Sequence, residues 1–131
     1  YRGSALMDQG LIVTEVEFSL QEMDPELLRA QMKDYDARRR EKQPLTQPSA
    51  GSFFKRPKGD YASRLIECSG LKGFAVGDAQ VSPKHAGFVV NLGQATASQV
   101  LALMREVQKR VEEQSGILLE PEVKIIGEEA T

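Results

Sequence analysis

The stretch TASQVLALMREVQKRVEEQSG, residues 96 to 116, decides the fold because it carries the signals of one complete helix. Thr96 and Gln99 form a capping box, and Gly116 is the residue type that commonly ends a helix. Between these ends lies an apolar stripe at helical spacing, made of Val100, Leu103, Met104, Val107 and Val111. A stripe of this kind needs a second layer to cover it, so we expect the helix to pack on a sheet.

Short apolar segments on both sides of this helix supply the predicted sheet. Residues 74–81 alternate in polarity and contain glycine, and residues 87–92 form a continuous apolar run. Residues 117–126 are typical of a strand that Pro121 interrupts, which favours an edge or a bend. The predicted fold class is therefore α+β, with a small, mainly antiparallel sheet and about three helices packed on it.

Two further helices and one more strand are predicted nearer the N-terminus. Asp24 caps a helix that ends in a group of cations near residue 42. Residues 61–69 form a short helix that Asp60 caps. Residues 11–20 are rich in β-branched and aromatic residues at period two, which predicts a strand.

The composition restricts the class of protein. The chain has 131 residues and a net charge of −2, which indicates about one domain and no charged surface for nucleic acid or membrane. No run reaches the roughly 20 apolar residues of a membrane span. The single cysteine, Cys68, fits a reducing cytoplasm, and the single histidine excludes metal sites built on several His or Cys ligands. Because the sequence begins without methionine just before a strand signal, we expect a piece of a longer protein.

The loop PSAGSFFKRPKGD, residues 48–60, is the first candidate site. Gly51 allows the backbone to approach a ligand, and Lys55 and Arg56 add positive charge suited to a phosphate or carboxylate. Ser52 is a hydroxyl that such a loop could fix as a proton donor. A solvated turn with cations on its rim explains the same residues, and residue chemistry alone favours that simpler interpretation.

Three other residues have both a structural and a chemical interpretation. Glu122 could act as a general acid or electrostatic partner, although an ordinary exposed strand carboxylate fits as well. His85 is expected to be a hydrogen-bonded structural residue rather than a base. Cys68 is expected to be a small packed residue rather than a reactive thiol.

Several blocks of the sequence together resemble the C-terminal part of the UDP-N-acetylenolpyruvoylglucosamine reductase (MurB) family. The blocks PSAGSFFKRP and EPEVKIIG are the most specific, and YRGS and LIECSGLKGFAVGDAQVSPKHAGFVVNLGQ match in the same order. The resemblance covers most of the chain. It implies a peptidoglycan-synthesis enzyme in which NADPH reduces FAD, and the flavin passes hydride to UDP-N-acetylglucosamine enolpyruvate to give UDP-N-acetylmuramate.

The resemblance also implies roles for particular residues. Ser52 is expected to protonate the α-carbon of the substrate, and Glu122 to support the enol-like intermediate. The substrate diphosphate is expected to meet Tyr1, Lys55, Arg56 and a basic residue before the loop, for which Lys42 is preferred and Arg40 is possible. Some relatives carry asparagine at the position of Arg56, so diphosphate recognition here can differ from theirs.

The implied domain organisation leaves the flavin site outside this chain. Residues 1–20 correspond to a remnant strand of the FAD-binding domain, 21–47 to a connecting helix and linker, and 48–131 to the substrate-binding domain. The expected partner is the protein's own N-terminal FAD-binding domain, which holds the FAD and a further catalytic arginine. A non-catalytic module that binds a nucleotide sugar or another anion is the alternative, and the intact GSFFK and PEV blocks favour the reductase.

Overall fold

The computed structural model describes residue 6 and residues 10–127 of the chain. These residues divide into two compact units, one ending at Lys33 and the other beginning at Asp34. In chain order, the elements are α1 (Pro25–Lys42), β1 (Ser49–Ser52), α2 (Ala62–Cys68), β2 (Ala75–Val76), β3 (Ala79–Val81), β4 (Phe88–Asn91) and α3 (Ala97–Ser115).

The four strands form one antiparallel sheet in the order β1-β4-β3-β2. β4 therefore has a hydrogen-bonded neighbour on each side, and its residues Phe88, Val89 and Val90 are all buried. The predicted α+β class with three helices and a small antiparallel sheet is confirmed.

Helix α3 supplies much of the core, as its sequence predicts. The Thr96 side chain accepts the Gln99 N–H, the Gln99 side chain accepts the Thr96 N–H, and Gly116 closes the helix at φ 70°. Leu103, Val107 and Val111 have no exposed surface, whereas Val100 is only half-buried. The stripe contacts β2, β3 and α2, so it is core.

The two other helices also begin close to the predicted positions. In α1, Asp24 Oδ1 accepts the N–H groups of Glu26 at 2.8 Å and Leu27 at 3.2 Å, as an N-cap does. α1 contains no buried residue. In α2, Tyr61 rather than Asp60 is the N-cap residue, and Asp60 accepts the Tyr61 N–H from one position earlier.

The strand predictions for residues 48–126 need three corrections. Residues 74–81 are not one bulged strand: they form a hairpin, β2 and β3, joined by a turn at Gly77 and Asp78. Residues 117–126 do not form a strand of the sheet, because Pro121 lacks an N–H and only one isolated bridge, to Phe54, is made. β1 lies in a segment that was predicted to be a loop.

Residues 11–20 form no strand within the described part of the chain. Ile12 and Phe18, two of the residues that predicted it, are 88% and 75% exposed. A strand needs a neighbouring strand to satisfy the hydrogen bonds of its backbone, and alternating polarity in the sequence does not provide that neighbour. The assignment of residues 1–20 to a flavin-domain remnant is a separate matter and stays a prediction.

Candidate functional site

The peptide groups of Phe53 connect two segments that are distant in sequence. The Phe53 N–H donates to the Gly87 carbonyl at 2.9 Å, and the Phe53 carbonyl accepts the Glu122 N–H at 2.9 Å. One residue further on, Phe54 pairs with Pro121, and the Lys55 N–H donates to the Glu120 carbonyl at 2.8 Å. The loop and the PEV block therefore lie side by side through their backbones.

Two aromatic side chains fix this pairing in the core. Phe53 and Phe54 are each 4% exposed, and their ring centroids lie 5.2 Å apart in an edge-to-face arrangement. Buried aromatic rings on adjacent residues restrict the backbone that carries them. Phe53 and Phe54 therefore anchor the loop in the core.

Ser52 stands at the end of β1, one residue before this anchor, and it is exposed. Its backbone partner in β4 is Phe88, and the β1–β4 register shifts between Ser49 and Ser52. Gly51, at φ 82°, precedes it in a conformation that favours glycine. The hydroxyl is thus presented to solvent from a rigid, bulged strand end, which is a geometry suited to a ligand contact.

Glu122 is exposed and follows Pro121 on the neighbouring segment. Because its N–H donates to the carbonyl of Phe53, Glu122 lies beside the residue that follows Ser52. The structure therefore brings together the two residues that the sequence selected for chemistry. Their side-chain roles remain predictions.

Lys55 already has an anionic partner. Its ammonium group forms an ion pair with Glu120, and the two side chains are 50% and 69% exposed. Exposed pairs of this kind contribute little to stability and exchange readily with other ions. Lys55 can therefore release Glu120 and take a phosphate oxygen instead.

Arg56 is held over an aromatic ring. Its guanidinium carbon lies 3.9 Å from the ring centroid of Tyr61, and its Nε donates to the Asp60 carbonyl at 3.3 Å. The neighbouring Asp60 carboxylate pairs with Arg64. Hydrogen bonding from Arg64, aided by the Tyr61 N–H, lowers the pKa of Asp60 to about 2.

The remaining predicted diphosphate ligands are less closely tied to this loop. Lys42 is exposed at the end of α1, and within the described residues no hydrogen bond or ion pair joins it to residues 48–60. The Arg40 carbonyl accepts a 2.6 Å hydrogen bond from Lys84 Nζ, which fixes this helix end to the turn before β4. Tyr1 lies outside the described residues.

Sequence reasoning missed two partners and misjudged a third residue. Tyr61 stacks with Arg56, and Glu120 pairs with Lys55. Cys68 is exposed rather than packed. Its Sγ lies 3.8 Å from Arg64 Nη1, one helical turn away on α2.

Two open hollows of about 370 and 310 Å³ adjoin β1 and the start of α3. They share Ala50, Phe53 and Val100 and are mainly apolar. A flavin dinucleotide carries a diphosphate that proteins usually bind with a glycine-rich turn at a helix N-terminus. The residues of these two hollows do not provide that turn, so they do not fit FAD.

No helix within the described residues is long and apolar enough to cross a membrane. The same residues contain no cluster of three or more His, Cys, Asp or Glu side chains that could hold a metal ion.

Comparison with known proteins gives concordant results. The family model for "UDP-N-acetylenolpyruvoylglucosamine reductase, C-terminal domain" matches residues 43–126. Curated proteins named UDP-N-acetylenolpyruvoylglucosamine reductase are similar over almost the whole chain. That of Exiguobacterium sibiricum is 54% identical over 99% of this chain and 43% of its own length. That of Syntrophomonas wolfei is 52% identical over 98% and 43%.

The fold is also similar to a solved structure. The crystal structure of UDP-N-acetylenolpyruvylglucosamine reductase (MurB) from Thermus caldophilus matches with a TM-score of 0.68 and 43% sequence identity. The match covers 81% of this chain and 37% of the Thermus chain. The chain thus spans well under half the length of the proteins it resembles.

Proposed function

Because the chain belongs to the UDP-N-acetylenolpyruvoylglucosamine reductase family, we propose that it forms the substrate-binding part of such a reductase. The proposed substrate is UDP-N-acetylglucosamine enolpyruvate, and the product is UDP-N-acetylmuramate for peptidoglycan synthesis. The observation that carries the proposal is the pairing at Phe53: Ser52 immediately precedes this buried residue, and the Phe53 carbonyl accepts the Glu122 N–H. A cytoplasmic location remains a prediction.

Reduction of the enolpyruvyl double bond requires a hydride at the β-carbon and a proton at the α-carbon. In the family, NADPH reduces FAD and the flavin supplies the hydride, and we assign the binding of both cofactors to parts of the parent protein outside this chain. The Ser52 hydroxyl supplies the proton: its O–H bond breaks as the new C–H bond forms. Glu122 supports the enol-like charge distribution that precedes this transfer.

The cations beside the pair bind the other end of the substrate. Lys55 exchanges Glu120 for a diphosphate oxygen, and Arg56, which is kept extended by Tyr61, offers guanidinium donors to the same group. Lys42 and Tyr1 complete this set in the proposal. Binding energy gained at the nucleotide then orients the reacting ether, as expected when a remote group is held firmly.

The test of the chemistry is to measure the two half-reactions separately in the parent reductase by stopped flow. Ser52→Ala should leave flavin reduction by NADPH unchanged and slow substrate reduction by about 10²–10⁴-fold, the usual contribution of a positioned acid. Glu122→Gln should slow the same half by a smaller factor. Ser49→Ala, a hydroxyl deletion in the same strand, is the control and should have little effect.

Each alternative result has a definite meaning. Equal slowing of both half-reactions would show that Ser52 and Glu122 shape the fold or the flavin site. A wild-type rate of substrate reduction in Ser52→Ala would remove the serine from the mechanism.

The test of the phosphate site uses this chain alone, titrated with UDP-N-acetylglucosamine enolpyruvate and followed by amide chemical shifts. Lys55→Ala should weaken binding by about tenfold or more, because charge-assisted hydrogen bonds to phosphate are worth about 1.5–3 kcal/mol. Glu120→Gln should strengthen it by freeing Lys55. Lys109→Ala, which removes an exposed lysine near Glu113, is the charge-matched control. Shift changes confined to residues far from 40–58 would contradict the site.

The proposal also predicts that the isolated chain, once purified, has no flavin absorbance. Stoichiometric FAD on this chain would show that the assignment of the flavin to other parts of the parent protein is wrong.

A further inference from the structure

The turn between β3 and β4 is held by two side-chain acceptors. Ser82, which has no exposed surface, accepts the N–H groups of Lys84 at 3.2 Å and His85 at 3.4 Å through Oγ. The His85 ring then accepts the Gly87 N–H at 3.1 Å through Nδ1. An imidazole nitrogen that accepts a hydrogen bond carries no proton, so the ring proton of neutral His85 lies on Nε2.

The His85 ring also lies directly against the backbone that it binds. A Cβ atom placed on Gly87 would come within 3.1 Å of His85 Cε1 and 3.3 Å of Ser63 Cβ. The ring packs edge-to-face on Phe88, with centroids 5.0 Å apart. The space around Gly87 is therefore restricted by the His85 ring and by Ser63 of α2.

Gly87 links His85 to the candidate site. Its N–H is held by His85, and its carbonyl accepts the Phe53 N–H at 2.9 Å. The Phe53 carbonyl in turn accepts the Glu122 N–H at 2.9 Å. The N–H and the carbonyl of one residue belong to successive peptide groups, so the constraint passes through the backbone conformation of Gly87 and of Phe53.

We infer that His85 is a positioning residue for the Ser52–Glu122 pair, acting through the peptides of Gly87 and Phe53. This inference rests on the proposed function of that pair. His85 need not touch the substrate: its contribution is the acceptor at Nδ1, which holds the Gly87 N–H and so restricts the backbone conformation of Gly87.

Two substitutions distinguish the effect of the Nδ1 acceptor from the effect of the packing of the ring. In His85→Asn, Oδ1 stands where Nδ1 stands and can accept the same N–H two residues on, as asparagine does in turns. In His85→Gln, the amide oxygen lies one carbon further out and cannot close this short loop. Both variants lose the ring and its contact with Phe88, so any difference between them reports the acceptor.

The first measurement is amide hydrogen exchange in this chain. In His85→Gln, the amides of Gly87, Phe53 and Glu122 should exchange about 5–10-fold faster, the effect of losing one ordinary hydrogen bond. In His85→Asn, they should exchange at close to the wild-type rate. Amides of α3 should be unchanged in both variants. Equal acceleration in the two variants would show that ring packing, and not the acceptor, orders the turn, and would overturn the inference.

The second measurement is substrate reduction in the parent reductase. His85→Gln should lower the rate constant of that half-reaction about 5–10-fold with little change in KM, because geometry and not binding is altered. His85→Asn should restore it, and reduction by NADPH should be normal in both. A wild-type rate in His85→Gln, or no rescue in His85→Asn, would overturn the inference. Failure of the proposed function is distinguishable, because it would appear as a wild-type rate in Ser52→Ala whatever the exchange data show.

Discussion

Helices α1 and α3 are nearly equal in length, at 18 and 19 residues, and each begins at a side-chain cap. Their surroundings differ completely. Leu103, Val107 and Val111 of α3 have no exposed surface, whereas Met32 and Tyr35 of α1 are 64% and 65% exposed. Local signals therefore decide where a helix begins and ends, and tertiary burial decides what that helix contributes to stability.

The largest expected effect is a loss of stability when the core of α3 is truncated. Leu103→Ala should lower the free energy of unfolding of this chain by about 2–5 kcal/mol, because it leaves a cavity at a fully buried position. Urea unfolding followed by circular dichroism measures this change. A urea midpoint close to that of the wild type would show that the stripe is not core and would remove the contrast between the helices.

The two caps provide the next contrast. Thr96→Ala should lower the free energy of unfolding by about 0.5–2 kcal/mol, since Thr96 caps a helix that unfolds with the core. Asp24→Ala should speed amide exchange in the first turn of α1 without moving the urea midpoint, because α1 buries nothing. Equal midpoint shifts in the two variants would indicate that α1 unfolds together with the core.

Two methionines, one on each helix, test how burial of the same side chain affects the free energy of unfolding. Met32→Ala should change the free energy of unfolding by less than about 0.5 kcal/mol, as exposed substitutions do. The matched control is Met104→Ala on α3, where the side chain is 8% exposed and the cost of a buried methionine, about 2–5 kcal/mol, is expected. A large decrease in the free energy of unfolding of Met32→Ala would mean that α1 packs against a partner in solution.

The smallest expected effect concerns pH and the start of α2. The pKa of Asp60 is lowered from 3.8 to about 2 by hydrogen bonding from Arg64, so the pair favours folding with Asp60 ionised. Its contribution should be complete above pH 3.8 and should disappear as the pH falls through about 2. The urea midpoints of wild type and Asp60→Asn should therefore converge in that window. A difference that does not change with pH would show that Asp60 acts through its shape alone.

The helices could be predicted from the sequence because their signals are local. Asp24 and Pro25 mark the start of α1, and the pair Thr96–Gln99 with Gly116 marks both ends of α3. The turn of the β2–β3 hairpin also had a local signal in Gly77 and Asp78, which sequence reasoning overlooked.

The strands were harder to predict because pairing depends on residues elsewhere in the chain. β1 has the sequence SAGS, without alternation or branched side chains, and is a strand only because β4 pairs with it. Residues 11–20 have the alternation but form no strand in the described structure.

The candidate site was likewise only partly predictable from the sequence. Ser52 and Glu122 were selected by family resemblance. Only the structure revealed that both lie next to Phe53, Ser52 along the chain and Glu122 through its hydrogen bond to the Phe53 carbonyl. The hydrogen bond that His85 Nδ1 accepts could not be predicted from the sequence, because the sequence does not show which ring nitrogen of a turn histidine is the acceptor.

The pairing between the loop and the PEV block has a consequence for the order of folding. Lys55 and Glu120 meet across a separation of 65 residues, whereas the capping box of α3 closes within three. Contacts between distant segments must first overcome the entropy of closing a long loop, so they form late. We therefore expect the geometry around Ser52 and Glu122 to be completed late in folding, after local contacts such as those of α3 have formed.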